Sequence, residues 1–282
     1  MVGVGAMGMG MARALLERGF AVGVRDLVAA REDEAIAAGA GRLGACDVLV
    51  SVVVDAAQTR DVVAEHASRA PVFMMCSTIA PSDTEAIARV LSTRGVEMLD
   101  APISGGPARA RAGTLSVMAS GSKRAFESCD AVLGAVSAKC FRIGEAPGDG
   151  SRMKVVNNML AAANLAAGCE AMAMAAKLGL DLNQAADVVN ASSGGSWIFA
   201  DRMARALAGD YAPRAAARVL LKDVGLFVQE ARNLGLTAPM AECAREIFHD
   251  TVARGFAEED DAAVLKRYAL AWDAPSVPGR DS

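Results

Sequence analysis

The chain opens with Gly3-Val4-Gly5-Ala6-Met7-Gly8, which has the spacing G-x-G-x-x-G. Glycines so placed permit a tight strand-to-helix turn. They also let a pyrophosphate approach the helix start, where free N–H groups and the helix dipole favour an anion. Gly3, Gly5, Ala6, Met7 and Gly8 are therefore candidate contacts for a dinucleotide. Asp26 lies 18 residues beyond Gly8, at the end of the next apolar run, a spacing that suits a carboxylate on the adenosine ribose hydroxyls. Such a carboxylate repels a 2′-phosphate, so NAD is expected over NADP; neighbouring Arg25 weakens that preference without reversing it. Further along, Lys154 and Asn158 stand four residues apart in an alanine-rich stretch, and on a helix they project from one face. A desolvated lysine beside an amide suits general acid/base work on a hydroxyl. Taken alone, Lys154 reads first as an exposed surface lysine, the usual fate of that residue type.

The elements that must position these residues show in the hydropathy pattern. The first half alternates apolar runs with helical periodicity. Strands are expected over 21–24, 47–54, 72–76, 96–99, 115–119 and 140–143, and a helix over 7–18 where Met7, Met11 and Leu15 recur at helical spacing. Continuously apolar strands fit a parallel sheet covered on both faces, and the alternation implies a doubly wound α/β domain. Only Met1 and Val2 precede Gly3, so the first strand is a stub. After the turn-rich stretch 144–150 no strand is expected. A long helix over 151–178 and helices over 183–191, 197–208, 216–234 and 239–254 predict an all-α second domain, and 273–282 reads as disordered. The expected domains are a Rossmann-type nucleotide-binding domain over 1–147 and an all-α substrate and oligomerisation domain over 148–282.

Composition excludes several function classes. With 53% hydrophobic residues in 282, there is ample material for a core. A net charge of -4 with no Lys/Arg run does not favour nucleic acid. His66 and His249 lie far apart, and six cysteines include no C-x-x-C pair, so no metal site and reduced thiols are expected. There is no secretory pattern, and the uncharged run 155–169 carries Asn157, Asn158 and Asn164 and is too short to span a bilayer. A cytoplasmic protein without membrane or nucleic-acid partners is expected.

Four segments together resemble the β-hydroxyacid dehydrogenase family, which includes 3-hydroxyisobutyrate dehydrogenase and tartronate semialdehyde reductase. They are the glycine loop, Asp100-Ala101-Pro102-Ile103-Ser104-Gly105-Gly106, Gly150-Ser151-Arg152-Met153-Lys154-Val155-Val156-Asn157-Asn158, and Lys222-Asp223 opening a late helix. The likeness runs from Gly3 to about Leu270. It implies NAD-dependent oxidation of a small hydroxy acid, with Lys154 as acid/base and Asn158 holding both the substrate and the lysine. Ser104, Gly105 and Gly106 would present donors to the substrate carboxylate. Asp55, Thr78 and Lys222 would meet the cofactor, and Asp223 would orient the site. Lys222 and Asp223 also read as a solvated pair at a helix start. Trp197 would line the pocket or sit in the core; His66 reads as exposed.

Val54-Asp55-Ala56-Ala57-Gln58, Met118-Ala119-Ser120-Gly121-Ser122, Glu170-Ala171-Met172-Ala173 and Ser196-Trp197 resemble the subgroup of that family acting on L-threonate, and the resemblance implies that substrate. The alternative substrates are 3-hydroxyisobutyrate and tartronate semialdehyde. Imine reductases share the architecture but generally lack the lysine. A catalytically silent nucleotide-binding module is opposed by Lys154 and Asn158, and mildly favoured by the stub strand. The stretch 39–47 is shorter than in relatives. Small-residue faces around Ala161-Ala162-Ala163, with the resemblance, imply a homodimer or homotetramer built through the helical half.

Overall fold

Val48-Leu49-Val50 alternates its side chains between two buried layers, and the same alternation repeats in the strands beside it. In the computed structural model, which describes residues 1–274 and 276–279, the chain divides into two compact units, Met1–Val155 and Val156–Ser282. In the first unit β1 (Gly23–Val24) pairs with β2 (Gly41–Arg42), and β3 (Val48–Ser51), β4 (Val72–Met75) and β5 (Glu97–Asp100) run parallel. Val50, Met74 and Leu99 face one core; Leu49, Phe73, Met75 and Met98 face the other. This is the pattern of a sheet covered on both sides.

The stub at the start occupies the slot between β1 and β3. Val2 bridges Arg25 and Ser51 in parallel, donating to Val50 O at 2.8 Å and accepting from Val52 N at 2.9 Å. Two residues thus suffice to join the pairs and to deliver Gly3 to the start of α1 (Ala6–Glu17).

The far side of the sheet departs from the expected parallel arrangement. β6 (Ile103–Ser104), a two-residue strand the hydropathy pattern did not reveal, and β5 both pair antiparallel with β7 (Leu115–Gly121). Ten residues, including the short helix α5 (Gly106–Ala112), separate Ser104 from Leu115, and a parallel return needs a crossover of about a dozen or more. β8 (Ser137–Gly144) pairs parallel with β7. Helices α2 (Ala29–Ala37), α3 (Ala56–His66), α4 (Pro81–Thr93) and α6 (Lys123–Val136) complete the unit. The doubly wound α/β class holds, with a mixed edge.

The helix α7 (Asp149–Lys177) begins in the first unit and continues into the second. It is longer than the uncharged run 155–169, and is long and apolar enough to cross a membrane by length and composition only, a test that the core helix of a globular protein also passes. Ala162, Leu165, Ala166, Cys169, Met172 and Ala173 form its buried stripe in the second unit's core. Gly168 sits on that stripe because a Cβ there would lie 2.4 Å from the Phe199 ring.

The second unit adds α8 (Leu182–Asn190), α9 (Trp197–Leu207), α10 (Ala217–Asn233), α11 (Pro239–Thr251) and α12 (Val264–Ala271). α12 has no counterpart among the expected helices. The expected disorder of 273–282 is corrected too: Ala274 and Val277 are buried in the core, and Tyr211 Oη donates to Pro278 O at 3.2 Å. Pro275 and residues 280–282 lie outside the described residues.

Candidate active site

Two kinds of glycine build the loop between the stub and α1. Gly3 has φ of 86°, and a Cβ there would lie 2.3 Å from Val52 O; at Gly8 it would lie 2.0 Å from Gly3 O. Those two glycines are required by packing. Gly5 is different, since a Cβ there would meet only Arg31 Nη1, at 3.9 Å. Gly5 is also the N-cap of α1 and supplies no capping side chain. An uncapped helix start with an open glycine beside it, flanked by the exposed Ala6 and half-buried Met7, fits an anionic pyrophosphate.

Asp26 is buried, and its carboxylate latches this loop. Oδ2 accepts from Val4 N at 2.7 Å and Oδ1 from Val28 N at 2.9 Å. Each carboxylate oxygen keeps a second lone pair, so ribose hydroxyls remain possible donors. Asp55 is committed locally: it caps α3, accepting from Gln58 N at 2.9 Å. Thr78 follows β4 and is half-buried. Ser104 ends β6, and Gly105 and Gly106 turn the chain with φ of 134° and 74°, a region closed to most side chains. Arg109 lies along the open face of Gly105 and donates from Nε to Thr114 O at 2.9 Å.

The start of α7 is anchored by Asp100, which is fully buried at the end of β5. Its Oδ2 accepts from Gly148 N at 2.9 Å and Ser151 N at 2.8 Å, and its Oδ1 from Ser151 Oγ at 2.9 Å. Ser120 Oγ accepts from Gly150 N at 2.9 Å, and Thr84 Oγ1 lies 2.8 Å from Ser151 Oγ. Burial pushes the Asp100 carboxyl above the usual range, while the Ser151 and Gly148 amides pull it back. One turn beyond this anchor stands Lys154. At 7% exposure it is not a surface lysine.

Asp100→Ala would strand the buried Gly148 and Ser151 amides together with the Ser151 and Ser120 hydroxyls, each buried donor costing about 1–3 kcal/mol when left unmade. The expected result is a loss of about 3 kcal/mol or more in urea denaturation followed by a probe in the first unit. A loss below about 1 kcal/mol would show that water replaces the carboxylate.

The second unit carries its own cluster. Asn158 Nδ2 donates to Asp223 Oδ2 at 2.6 Å, and Lys222 Nζ lies 2.7 Å from Asp223 Oδ1. Asn157 Nδ2 donates to Asn158 Oδ1 at 3.0 Å. Asn158 and Asp223 are both buried. Asp223 therefore fixes the Asn158 amide. Lys222 and Asp223 stand in the second turn of α10 rather than at its start, and Asp223 is not solvated.

Other expectations need correction. Trp197 is 56% exposed, which excludes the core alternative for it; Ser196 caps α9, and Ile198 and Phe199 turn inward instead. His66 is partly covered at the end of α3, and burial lowers its pKa. Cys76, Cys129 and Cys169 are core residues, whereas Cys243 is exposed; all six cysteines are free. The Asp260-Asp261 pair is buried against Arg202, with Arg202 Nε 2.6 Å from Asp261 Oδ1. Among the described residues no group of three or more His, Cys, Asp or Glu is placed to hold a metal.

Comparison with known proteins bears on this geometry. Residues 1–144 match the family described as the NAD binding domain of 6-phosphogluconate dehydrogenase. Residues 148–268 match that described as NAD-binding of NADP-dependent 3-hydroxyisobutyrate dehydrogenase. The chain is 40% identical to the L-threonate dehydrogenase of Escherichia coli K12, covering 95% of this chain and 93% of that protein. It is 38% identical to the L-threonate dehydrogenase of Cupriavidus necator, covering 94% of each. A crystal structure of 3-hydroxyisobutyrate dehydrogenase from Salmonella typhimurium aligns with a TM-score of 0.88 at 39% identity, over 94% of this chain and 98% of that one.

Proposed function

The chain belongs to the 3-hydroxyisobutyrate dehydrogenase family of NAD-binding dehydrogenases, and we propose that this member oxidises L-threonate at C2, giving a 2-oxo tetronate. It is a hydroxyacid dehydrogenase that uses NAD. The substrate assignment rests on the likeness to L-threonate dehydrogenases over nearly the whole chain. 3-Hydroxyisobutyrate is the second reading, supported by the Salmonella structure.

Gly3, Gly5, Ala6, Met7 and Gly8 hold the pyrophosphate at the start of α1, and Asp26 receives the adenosine ribose. Thr78 and Lys222 serve the nicotinamide end. Asp55, whose carboxylate caps α3, contributes through the backbone it fixes. Held there, NAD would supply the hydride acceptor for an alcohol oxidation at C2. The hydroxyl proton passes to Lys154 Nζ, which acts as general base and returns it as general acid in the reverse direction. The burial of Lys154, one turn after an anchored helix start, is the observation that carries this role. Burial supports this role because a desolvated amine gives up its proton more readily than an exposed one. Asn158, fixed by Asp223, holds the substrate hydroxyl and the lysine. Ser104 and the amides of Gly105 and Gly106 receive the carboxylate, an anionic group that every candidate substrate carries.

The direct test is a panel of L-threonate, 3-hydroxyisobutyrate and tartronate semialdehyde assayed in the appropriate direction with NAD and NADP. The highest kcat/KM is expected for L-threonate with NAD. A higher value for 3-hydroxyisobutyrate would move the assignment to the second reading.

We further propose a cytoplasmic homodimer or homotetramer assembled through the helical unit. Its helices leave Leu160, Met174, Leu178, Leu234 and Met240 exposed beside the small-residue faces. Light scattering should give a multiple of the 29.0 kDa chain mass at micromolar concentration. A mass equal to one chain would overturn the assembly.

A further inference from the structure

Glu32 is 5% exposed, yet it makes three polar contacts at the end of the strand that carries Asp26. Its Oε2 accepts from Arg25 Nη1 at 2.9 Å and from Asp26 N at 3.1 Å, and its Oε1 accepts from Arg42 Nη1 at 2.9 Å. Arg25 Nη1 also donates to Asp26 O at 2.8 Å. The Arg25 guanidinium, and after it the Asp26 amide, hold the Glu32 carboxyl below the usual range, so it is ionised at neutral pH. The two arginines are exposed, with side-chain accessibilities of 48% and 77%. They are surface cations tied down by a carboxylate from beneath.

That arrangement bears on the 2′ position of the adenosine ribose. Arg25 directly precedes Asp26, and a guanidinium is the group that recognises a phosphate best. A sequence with Arg-Asp at a strand end therefore carries opposing signals, one cation for a 2′-phosphate and one anion against it. In the structure the cation is already engaged. We propose that Glu32 is a specificity-determining residue for the dinucleotide, holding Arg25 and Arg42 in a closed ion-pair clasp that withholds both cations from a 2′-phosphate. The proposal rests on the reading of Asp26 as the ribose-facing carboxylate. Arg31, beside Gly5 and outside the clasp, would serve the phosphates common to both dinucleotides and gives no discrimination.

Isothermal titration of the full-length protein with 5′-ADP and 2′,5′-ADP tests this without turnover. The parent should prefer 5′-ADP. Glu32→Gln keeps the shape and removes the charge. It should move the affinity ratio toward 2′,5′-ADP by about tenfold, the scale of one freed charge pair near a protein surface. Adding Arg25→Gln and Arg42→Gln should return the ratio to the parental value. A folded Glu32→Gln whose ratio stays within about twofold of the parent would overturn the proposal.

Should Glu32→Gln fail to fold, Arg25→Gln/Arg42→Gln in the parent decides: an unchanged ratio supports the clasp. A selective loss of 2′,5′-ADP affinity shows the arginines already available and overturns it. Asp26→Asn separates the two readings. If it shifts the ratio and Glu32→Gln does not, only the role of Glu32 falls; if the parent binds neither nucleotide, the cofactor reading falls with it.

Discussion

Lys154→Ala is expected to lower turnover by a factor on the order of 10² or more while leaving dinucleotide affinity near the parental value. A proton must leave the hydroxyl as hydride leaves carbon, and Lys154 is the candidate base that the structure buries beside the anchored helix start. The groups assigned to the dinucleotide, from Gly3 to Asp26, belong to other elements and keep their own hydrogen bonds. Alanine also removes buried methylenes, so Lys154→Met is the companion variant: it keeps most of the packing volume and should lose the same turnover. Stopped-flow turnover with NADH-fluorescence titration measures both quantities. Turnover within a few-fold of the parent for either variant would remove Lys154 from the chemistry.

Gly8→Ala and Gly5→Ala should behave in opposite ways. The new Cβ of the first would lie 2.0 Å from Gly3 O, a backbone atom that cannot move without shifting the stub between β1 and β3. Overpacking of this kind costs about 3 kcal/mol or more when the neighbours cannot yield. Gly8→Ala should therefore destabilise the first unit and abolish dinucleotide binding together. Gly5 has φ of -65° and open space before it, so alanine there should leave the urea midpoint unchanged. It should still weaken dinucleotide binding by about tenfold or more, because the methyl occupies the approach to the helix start. Unchanged affinity in Gly5→Ala would move the pyrophosphate away from this loop.

What could be read in advance follows from the range of the interactions. The glycine loop, the strands β3 to β5 and the helix α7 are local patterns of three to thirty residues, and periodicity reveals them. The stub was visible as an oddity, but its place between two strands is a long-range fact. The anchor at Asp100 joins residues 48 to 51 positions apart. In the sequence, Asp100 is only the first residue of a recognisable motif. β6 and β2 have two residues each and no periodicity to detect. An aromatic beside Ile198 and Phe199 fits pocket and core equally in the sequence; the exposure of Trp197 beyond the Ser196 cap excludes only the core. The buried Arg202–Asp261 pair and the Glu32 clasp hid for a related reason: charge runs read as surface unless their partners are known.

In the proposed reaction hydride leaves C2 of a sugar acid for NAD while Lys154 takes the hydroxyl proton. L-threonate deuterated at C2, turned over by the full-length protein with NAD and followed by mass spectrometry of both products, tests this. One deuterium is expected in the reduced nicotinamide and none in the resulting 2-oxo acid. Deuterium retained in the organic product, with unlabelled reduced cofactor, would place the oxidation at another carbon and contradict it.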